Sequence, residues 1–121
     1  MLVPDLIIPV PLHKKRLQER GFNQALILAR YLFPQQRKII QQNLLERHQW
    51  TPPQTSLNGQ ARRNNLKNSF RVINNNQIPG KKILLIDDVF TTGTTVNECA
   101  KVLKQTGALE VQVLTLARVE E

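Results

Sequence analysis

The sequence has a single cysteine, few aromatic residues and no long apolar run. Because Cys99 is the only cysteine among 121 residues, the chain cannot form an internal disulfide or a zinc site made of several cysteines. One free thiol suits a reducing compartment, so we expect a cytoplasmic protein. No apolar stretch is long enough to cross a membrane, and membrane insertion is not expected. Aromatic residues make up 5% of the chain, so aliphatic side chains must form the core.

Acidic residues are also scarce. The chain has 17 Lys and Arg against 9 Asp and Glu, a formal net charge of +8. This balance favours anionic partners such as nucleotides, phosphorylated sugars, nucleic acid or acidic lipid, and is also compatible with a merely solvated basic surface. The length suits one domain with a modest core, so we expect residues 1–121 to form a single domain.

The most informative segment is residues 83–95. The aliphatic run 83–86 predicts a strand buried on both faces, as in a parallel sheet, and Asp87 and Asp88 follow it directly. Ligands of open α/β sheets bind at the carboxyl ends of strands. We expect the strand to end near the two acids, whose side chains should point to opposite faces. One carboxylate could then accept hydrogen bonds from ligand hydroxyls while the other faces Mg²⁺ or a structural partner.

A turn rich in hydroxyl groups follows the acids. It consists of Thr91, Thr92, Gly93, Thr94 and Thr95. Gly93 permits a positive φ, and backbone amides that open a helix form an anion site. The plain structural alternative is that Asp88 or Thr91 caps the helix. Capping needs only one such residue, whereas the segment has four threonines and two aspartates. Capping alone therefore does not explain the composition of the segment.

Residues 83–95 as a whole resemble the phosphoribosyl pyrophosphate (PRPP) loop of type I phosphoribosyltransferases. The resemblance implies that Asp87 and Asp88 are the catalytic acids that bind the ribose hydroxyls, with Mg²⁺ as a cofactor that they help to hold. It also implies that the turn at residues 91–95 holds the 5′-phosphate.

The rest of the chain alternates between strand and helix patterns. Proline, glycine and apolar spacing predict strands at 6–10, 70–73 and 111–117 and helices at 24–33, with Asn23 as the N-cap, and at 94–106. The segment 37–50 is ambiguous. This order predicts an α/β fold with a mostly parallel, doubly wound sheet, which the resemblance makes one of the type I phosphoribosyltransferase kind.

Two basic segments could bind a pyrophosphate, although each residue could equally be a solvated surface charge. The first is 13–20, with Lys15, Arg16 and Arg20, and it follows the first strand as a second crevice loop would. The second is Thr51–Asn68, which by the resemblance matches a mobile loop that closes over the substrate. It carries Arg62, Arg63 and Lys67. No strong general base is evident, because His13 is a weak candidate and His48 is expected at the surface.

Most of the chain resembles the ComF family, which is phosphoribosyltransferase-like and linked to competence, the uptake of external DNA. The resemblance rests on residues 9–16, 19–24, 51–55, 62–64 and Phe70. ComF proteins usually carry a cysteine-rich, zinc-binding segment at the N-terminus, which this sequence does not contain. A truncated gene product, a fragment and a short relative are all compatible with that difference.

Two functions follow from the resemblance. The first is a Mg²⁺-dependent phosphoribosyltransferase, a glycosyltransferase that takes PRPP or another phosphorylated ribose. The second is a non-catalytic competence factor that keeps the pocket and binds single-stranded DNA or a partner helicase. The scarcity of aromatic residues for base stacking weighs against the second. The acceptor and the oligomeric state, for which a homodimer is one option, are left open.

Overall fold

The computed structural model describes residues 3–48, 69–90 and 93–118. They form five strands, β1 to β5, three α-helices, α1 to α3, and two short 3₁₀ turns. In chain order the elements are β1 (Leu6–Pro9), α1 (Lys14–Arg20), α2 (Gln24–Leu32), a 3₁₀ turn (Arg37–Ile39), β2 (Leu45–Arg47), β3 (Phe70–Val72), a 3₁₀ turn (Asn75–Gln77), β4 (Lys82–Phe90), α3 (Thr94–Gln105) and β5 (Glu110–Arg118).

The main sheet of the described residues has the order β1-β4-β5 and is parallel throughout. Ile83 in the central strand lies opposite Leu6 of β1 and Val111 of β5. A separate antiparallel pair joins β2 to β3. The predicted α/β class with a mostly parallel sheet is therefore confirmed.

Strand β4 is buried on both faces, as its unbroken apolar run predicts. Ile83, Leu85 and Ile86 are fully buried and Leu84 nearly so. Leu84 and Ile86 pack with Ala29 of α2, whereas Ile83 and Leu85 belong to a cluster with Cys99 of α3. Helices thus cover opposite faces of the sheet, which confirms the predicted doubly wound arrangement.

Helix α2 begins where the sequence predicts. The Asn23 side chain accepts a hydrogen bond from the amide of Ala25 at 2.9 Å, and its Nδ2 donates to the carbonyl of Val10 at 3.2 Å. Ala25 and Ala29 face the core, and the helix ends at Leu32, one residue before the predicted boundary. Asn23 therefore caps α2 and also joins it to the end of β1.

This double role of Asn23 predicts a graded loss of stability. Asn23→Ala removes both bonds and should lower the free energy of unfolding by roughly 1 to 3 kcal/mol, since a cap alone contributes about 0.5 to 2 kcal/mol. Asn23→Asp keeps the capping oxygen but has no donor for Val10, so we expect a smaller loss. Urea unfolding of the three proteins measures both steps. Equal stability of Asn23→Ala and wild type would contradict this account.

Helix α3 presents Val96, Cys99 and Leu103 to the core. Its last turn closes at Thr106, whose amide bonds to carbonyls of the preceding turn. Gly107 follows with a φ of 107°, the left-handed conformation expected after a helix. Burial raises the pKa of the Cys99 thiol well above its usual range, and the negative charge of Asp87 adds a smaller increase. Cys99 is a core residue, fully buried among apolar side chains.

Three features differ from the sequence predictions. Strand β4 does not end at the acids but continues to Phe90, because its backbone stays paired with β5 as far as Arg118. The first basic segment is mostly a helix, α1, instead of a loop. The ambiguous segment contains a 3₁₀ turn and the short strand β2. Among the residues that the structure describes, no helix is both long and apolar enough to span a membrane.

Candidate functional site

The site is built where β1 ends beside the carboxyl-terminal half of β4. Pro9 lies opposite Ile86 in the sheet, and the amide of Val10 donates to the carbonyl of Ile86 at 2.8 Å. The residue after Ile86 is the first acid, and the chain after Val10 leads directly into α1. The acid pair and the first basic segment therefore leave the same rim of the sheet, as their positions in the sequence predict.

Asp87 lies on the face of the sheet that α3 covers. It continues the alternation of Ile83 and Leu85, whose side chains pack against α3, and its charge acts on the thiol of Cys99. Asp87 is partly buried. It lies opposite Thr115 of β5, a residue that sequence reasoning did not single out and that only the strand register reveals.

The two acids are close enough to affect each other. Burial, together with the hydrogen bond and the charge of the Asp88 side chain, raises the pKa of Asp87 to about 7, against a backbone hydrogen bond from Asp88 that lowers it. The alternation of side chains along a strand predicts that the two carboxylates point to opposite faces and bind separate partners. In the structure the Asp88 side chain instead hydrogen-bonds to Asp87 and acts on it through its charge, so a cation or hydroxyl ligand at one acid affects the other.

Gly93 forms the bend between the acids' strand and α3. It is buried and has a φ of 81°, and the amide of Asn97 donates to its carbonyl at 2.9 Å. Gly93 occupies the N-cap position of α3, so Asp88 does not cap this helix. Helix capping therefore does not explain the acids. The positive φ is the conformation that the sequence predicts for this glycine.

The first turn of α3 follows Gly93 at once. Thr94 and Thr95 are half-buried at this helix start. Backbone amides at the start of a helix point outward and carry a partial positive charge, which suits a phosphate. Thr91 and Thr92, the other two predicted phosphate ligands, lie outside the described residues.

The predicted pyrophosphate ligands fall into two groups. Lys15, Arg16 and Arg20 lie on α1, which has no buried residue, and Arg16 approaches Glu19 at 3.7 Å. Both of those side chains are exposed, so this ion pair stabilises little and leaves Arg16 able to reorient toward a ligand. Arg62, Arg63 and Lys67, with the rest of segment 51–68, lie outside the described residues.

The two histidines have different environments. Nδ1 of His13 accepts a hydrogen bond from the amide of Lys15 at 3.0 Å, so His13 is the N-cap of α1. His48 was expected at the surface, and this expectation is wrong: it is half-buried next to Arg47. The His48 amide donates to the carbonyl of Ser69 at 2.9 Å. This bond continues the pairing of β2 with β3 by one residue, next to the buried Ser69 and Phe70.

The acid pair is chemically suited to Mg²⁺. This cation binds proteins through one or two carboxylates and takes its remaining ligands from substrate and water. Two partly buried, adjacent carboxyl groups fit that need, since a cation would offset both the burial and the repulsion from Asp88 that raise the pKa of Asp87. Asp87 and Asp88 are therefore the residues that would hold the ion.

The raised pKa of Asp87 predicts a pH-dependent stability. Between its ordinary value of 3.8 and about 7, the folded chain holds a proton that the unfolded chain has released. The stability from this group is thus present at low pH and is lost as the pH rises to about 7. Asp87→Asn should be more stable than wild type by about 1 to 2 kcal/mol at pH 8, discounted for partial exposure, and similar near pH 4.

Urea unfolding at several pH values measures this difference, with Glu110→Gln as the control. Glu110 is an exposed carboxylate at the opposite end of the sheet. Its removal changes the net charge equally but should give a difference that varies little with pH. The same pH profile in both variants would contradict a specific effect of burial at Asp87.

Comparison with known proteins agrees with this geometry. The family model described as the phosphoribosyl transferase domain matches residues 20–121. Competence protein F of Haemophilus influenzae is 41% identical over 117 residues, which cover 96% of this chain and 51% of that protein. Competence protein ComFC of Bacillus subtilis is 33% identical over 122 residues. The alignment covers 93% of this chain and 44% of that protein.

A third relative, the DNA utilization protein YhgH of Escherichia coli K12, is 38% identical over 96% of this chain and 50% of its own length. The chain thus spans about half the length of the curated relatives it matches. Among solved structures, a glutamine PRPP amidotransferase from Bacillus subtilis aligns with a TM-score of 0.57 at 18% identity, over 95% of this chain and 23% of that one. At this identity the match shows a shared fold.

Proposed function

Because the chain belongs to the phosphoribosyl transferase domain family, in its ComF-like part, we propose that it binds PRPP or a similar phosphorylated ribose at the end of β4. One observation carries the proposal. Two adjacent acids that interact, a buried glycine with positive φ and the start of a helix follow one another at the carboxyl end of a central parallel strand. This order offers acceptors for sugar hydroxyls and donors for a phosphate within one short segment.

The ribose and the phosphate of the ligand bind to different kinds of protein group. Ribose hydroxyls are hydrogen-bond donors, which suits the carboxylates of Asp87 and Asp88. The 5′-phosphate is an acceptor with negative charge, which suits the amides and hydroxyls that begin α3 at Thr94 and Thr95. Gly93 is buried beside them, and without a side chain it lets the phosphate approach the backbone.

We further propose phosphoribosyl transfer as the reaction. The bond between C1 of the ribose and the pyrophosphate breaks as a nitrogen nucleophile attacks C1, and the pyrophosphate leaves with the electron pair. Negative charge then builds up near α1, where Lys15, Arg16 and Arg20 can approach the leaving group. Mg²⁺, when bound by the acids, supplies further positive charge to the pyrophosphate. The protein contributes mainly positioning and electrostatics.

Asp87 can also bind and release a proton near neutral pH. With a pKa of about 7, Asp87 can hold or release a proton at neutral pH, whereas an ordinary carboxyl group is fully ionised there. Binding of a cation or of the ribose hydroxyls favours the ionised form, so ligand binding should release a proton from this pair.

The names of the relatives refer to competence and DNA utilization. We propose that the protein acts in DNA uptake, and that its partners include single-stranded DNA or a helicase. A homodimer is part of the same proposal. None of these is needed for ligand binding at the end of β4, so each can be tested separately.

Calorimetric titration with PRPP, with and without Mg²⁺, tests the proposal. We expect saturable binding with one site per chain, at least about 10-fold tighter with Mg²⁺, because the ion adds charge compensation of roughly 1.4 kcal/mol or more. No saturable binding in either condition would overturn the proposal. Release of pyrophosphate in the presence of an acceptor would establish an enzyme, and binding without any release over many acceptors would favour the non-catalytic competence factor.

A further inference from the structure

The outer edge of β5 has no partner strand in the described part of the chain. β5 (Glu110–Arg118) pairs with β4 on one side only, since the main sheet has the order β1-β4-β5. The edge at β1 is partly covered, because Ile7 bridges to Ile40 and its carbonyl accepts from the amide of Gln41 at 2.9 Å. Backbone groups on the outer side of β5 can therefore pair with a further strand.

The sequence of β5 does not have the features that commonly protect an edge strand. Protected edges are short, or they carry proline, lysine or a bulge that prevents pairing with another chain. β5 is nine residues long and contains no proline, glycine or lysine. Its register with β4 is the same at Lys82 and at Phe90, so no residue is inserted between them. β5 is therefore suited to pairing on both of its sides.

Apolar side chains are exposed on both faces of β5. Val113 lies opposite Leu85 and so faces the α3 side, yet it is 41% exposed. Leu114 lies opposite Ile86 and faces the α2 side together with Leu116, and these two are 36% and 71% exposed. Helices α2 and α3 thus leave this strand partly uncovered. A group of neighbouring exposed apolar side chains is typical of an interaction surface.

The strand is complementary to a second copy of itself. A two-fold axis perpendicular to the sheet makes two β5 strands antiparallel and keeps equivalent faces on the same side. Among the registers that this symmetry allows, the one centred on Leu114 pairs all nine residues of the strand. It also places Glu110 opposite position 118 of the second copy, which is an arginine. Opposite charges at such positions stabilise a strand pair, so the two ends favour this register.

The same register brings the exposed apolar side chains together. Leu114 meets its own counterpart at the axis, and Leu116 of the second copy lies diagonally from it on the same face. On the α3 face, Val113 lies opposite Thr115 of the second copy and diagonally from its own counterpart. The contact therefore adds apolar burial on both faces as well as backbone hydrogen bonds.

We propose that two copies of the chain associate through β5, antiparallel and centred on Leu114, so that their three-stranded sheets form one continuous sheet. The inference rests on the homodimer proposed above and names its interface. Because the strands of the two copies run in opposite directions, the two acid pairs open toward opposite rims of the joint sheet. The contact therefore leaves both ligand sites accessible.

Sedimentation velocity at several protein concentrations tests the interface. The buffer contains about 0.15 M salt, which screens the repulsion between two copies of net charge +8. We expect wild type to dimerise with a dissociation constant of about 100 µM or tighter. Leu114→Lys places two like charges at the axis and should weaken association by at least about 10-fold. Val3→Lys is the matched control, since Val3 is 76% exposed and precedes β1 at the other edge of the sheet, and it should change association by less than about 2-fold.

An exchange of charges tests the register. Glu110→Arg and Arg118→Glu each bring like charges face to face at both ends of the interface, and each should weaken association by at least about 3-fold. The double variant Glu110→Arg/Arg118→Glu restores opposite charges and should return to within about 2-fold of wild type. A loss caused only by altered folding would not be rescued in this way, and circular dichroism checks the fold of each variant.

Two measurements separate this interface from ligand binding. Asp87→Asn/Asp88→Asn should dimerise as wild type does, and Glu110→Arg should keep its affinity for PRPP within about 3-fold. Intact association without PRPP binding by wild type would overturn the proposed function and support the interface. Wild type that stays monomeric at about 100 µM would overturn the interface. A dimer that resists both Leu114→Lys and the single charge changes would overturn it as well.

Discussion

The double variant Asp87→Asn/Asp88→Asn should bind PRPP and ribose 5-phosphate at least about 100-fold more weakly than wild type. Hydrogen bonds to a charged acceptor contribute roughly 1.5 to 3 kcal/mol each, so the loss of two accounts for a factor of this size. The variant should fold, because replacement of the partly buried Asp87 removes an unfavourable charge from the folded state. Calorimetric titration measures the affinity, and circular dichroism checks the fold.

Glu110→Gln is the matched control for this experiment. Glu110 pairs with Lys82 at the start of β4, so it lies at the opposite rim of the same sheet. It also carries one unit of negative charge, and its removal should alter the affinity by less than about 2-fold if only long-range charge is affected. Unchanged affinity in a folded acid-pair variant would show that Asp87 and Asp88 do not contact the sugar.

Gly93→Val should abolish binding of ribose 5-phosphate while a folded core remains. At a φ of 81°, a β-branched residue is strained by roughly 1 to 3 kcal/mol. Its side chain would also occupy the position where the phosphate approaches the backbone. We therefore expect a loss in affinity of at least about 100-fold, together with a lower free energy of unfolding. Gly93→Ala adds less bulk and should give a smaller loss of both.

Gly80→Val separates strain from ligand binding. Gly80 has a φ of 76°, and nothing lies within 4 Å of where its Cβ would be. This variant should lose stability to a similar extent because the backbone strain is alike, yet bind ribose 5-phosphate as wild type does. If Gly93→Val folds and keeps normal affinity, the phosphate does not bind at this bend.

The sequence predicts most of the elements because their patterns are local. An unbroken aliphatic run such as 83–86, bounded by a Pro-Gly turn and by two acids, is typical of a strand covered on both faces. Asn23 before a helical repeat predicts a cap whatever the tertiary structure, and the cap is present. Gly93 and Gly107 have the positive φ angles that their places at a bend and a helix end predict.

Other features depend on contacts between distant residues. Helix α1 buries nothing, so no apolar repeat in the sequence distinguishes it from a basic loop. Strand β4 extends past the acids because β5 pairs with it there, which the local pattern does not show. The raised pKa of Asp87 arises from burial and from Asp88, and burial is a tertiary property.

The central claim is that the acids at the end of β4 and the bend at Gly93 hold opposite ends of one phosphorylated ribose. Nuclear magnetic resonance of the labelled protein during titration with ribose 5-phosphate tests it most directly. We predict saturable shifts of the carboxyl carbons of Asp87 and Asp88 and of the amides of Gly93, Thr94 and Thr95, all with one dissociation constant. Shifts confined to α1, or to only one of the two groups, would contradict the claim.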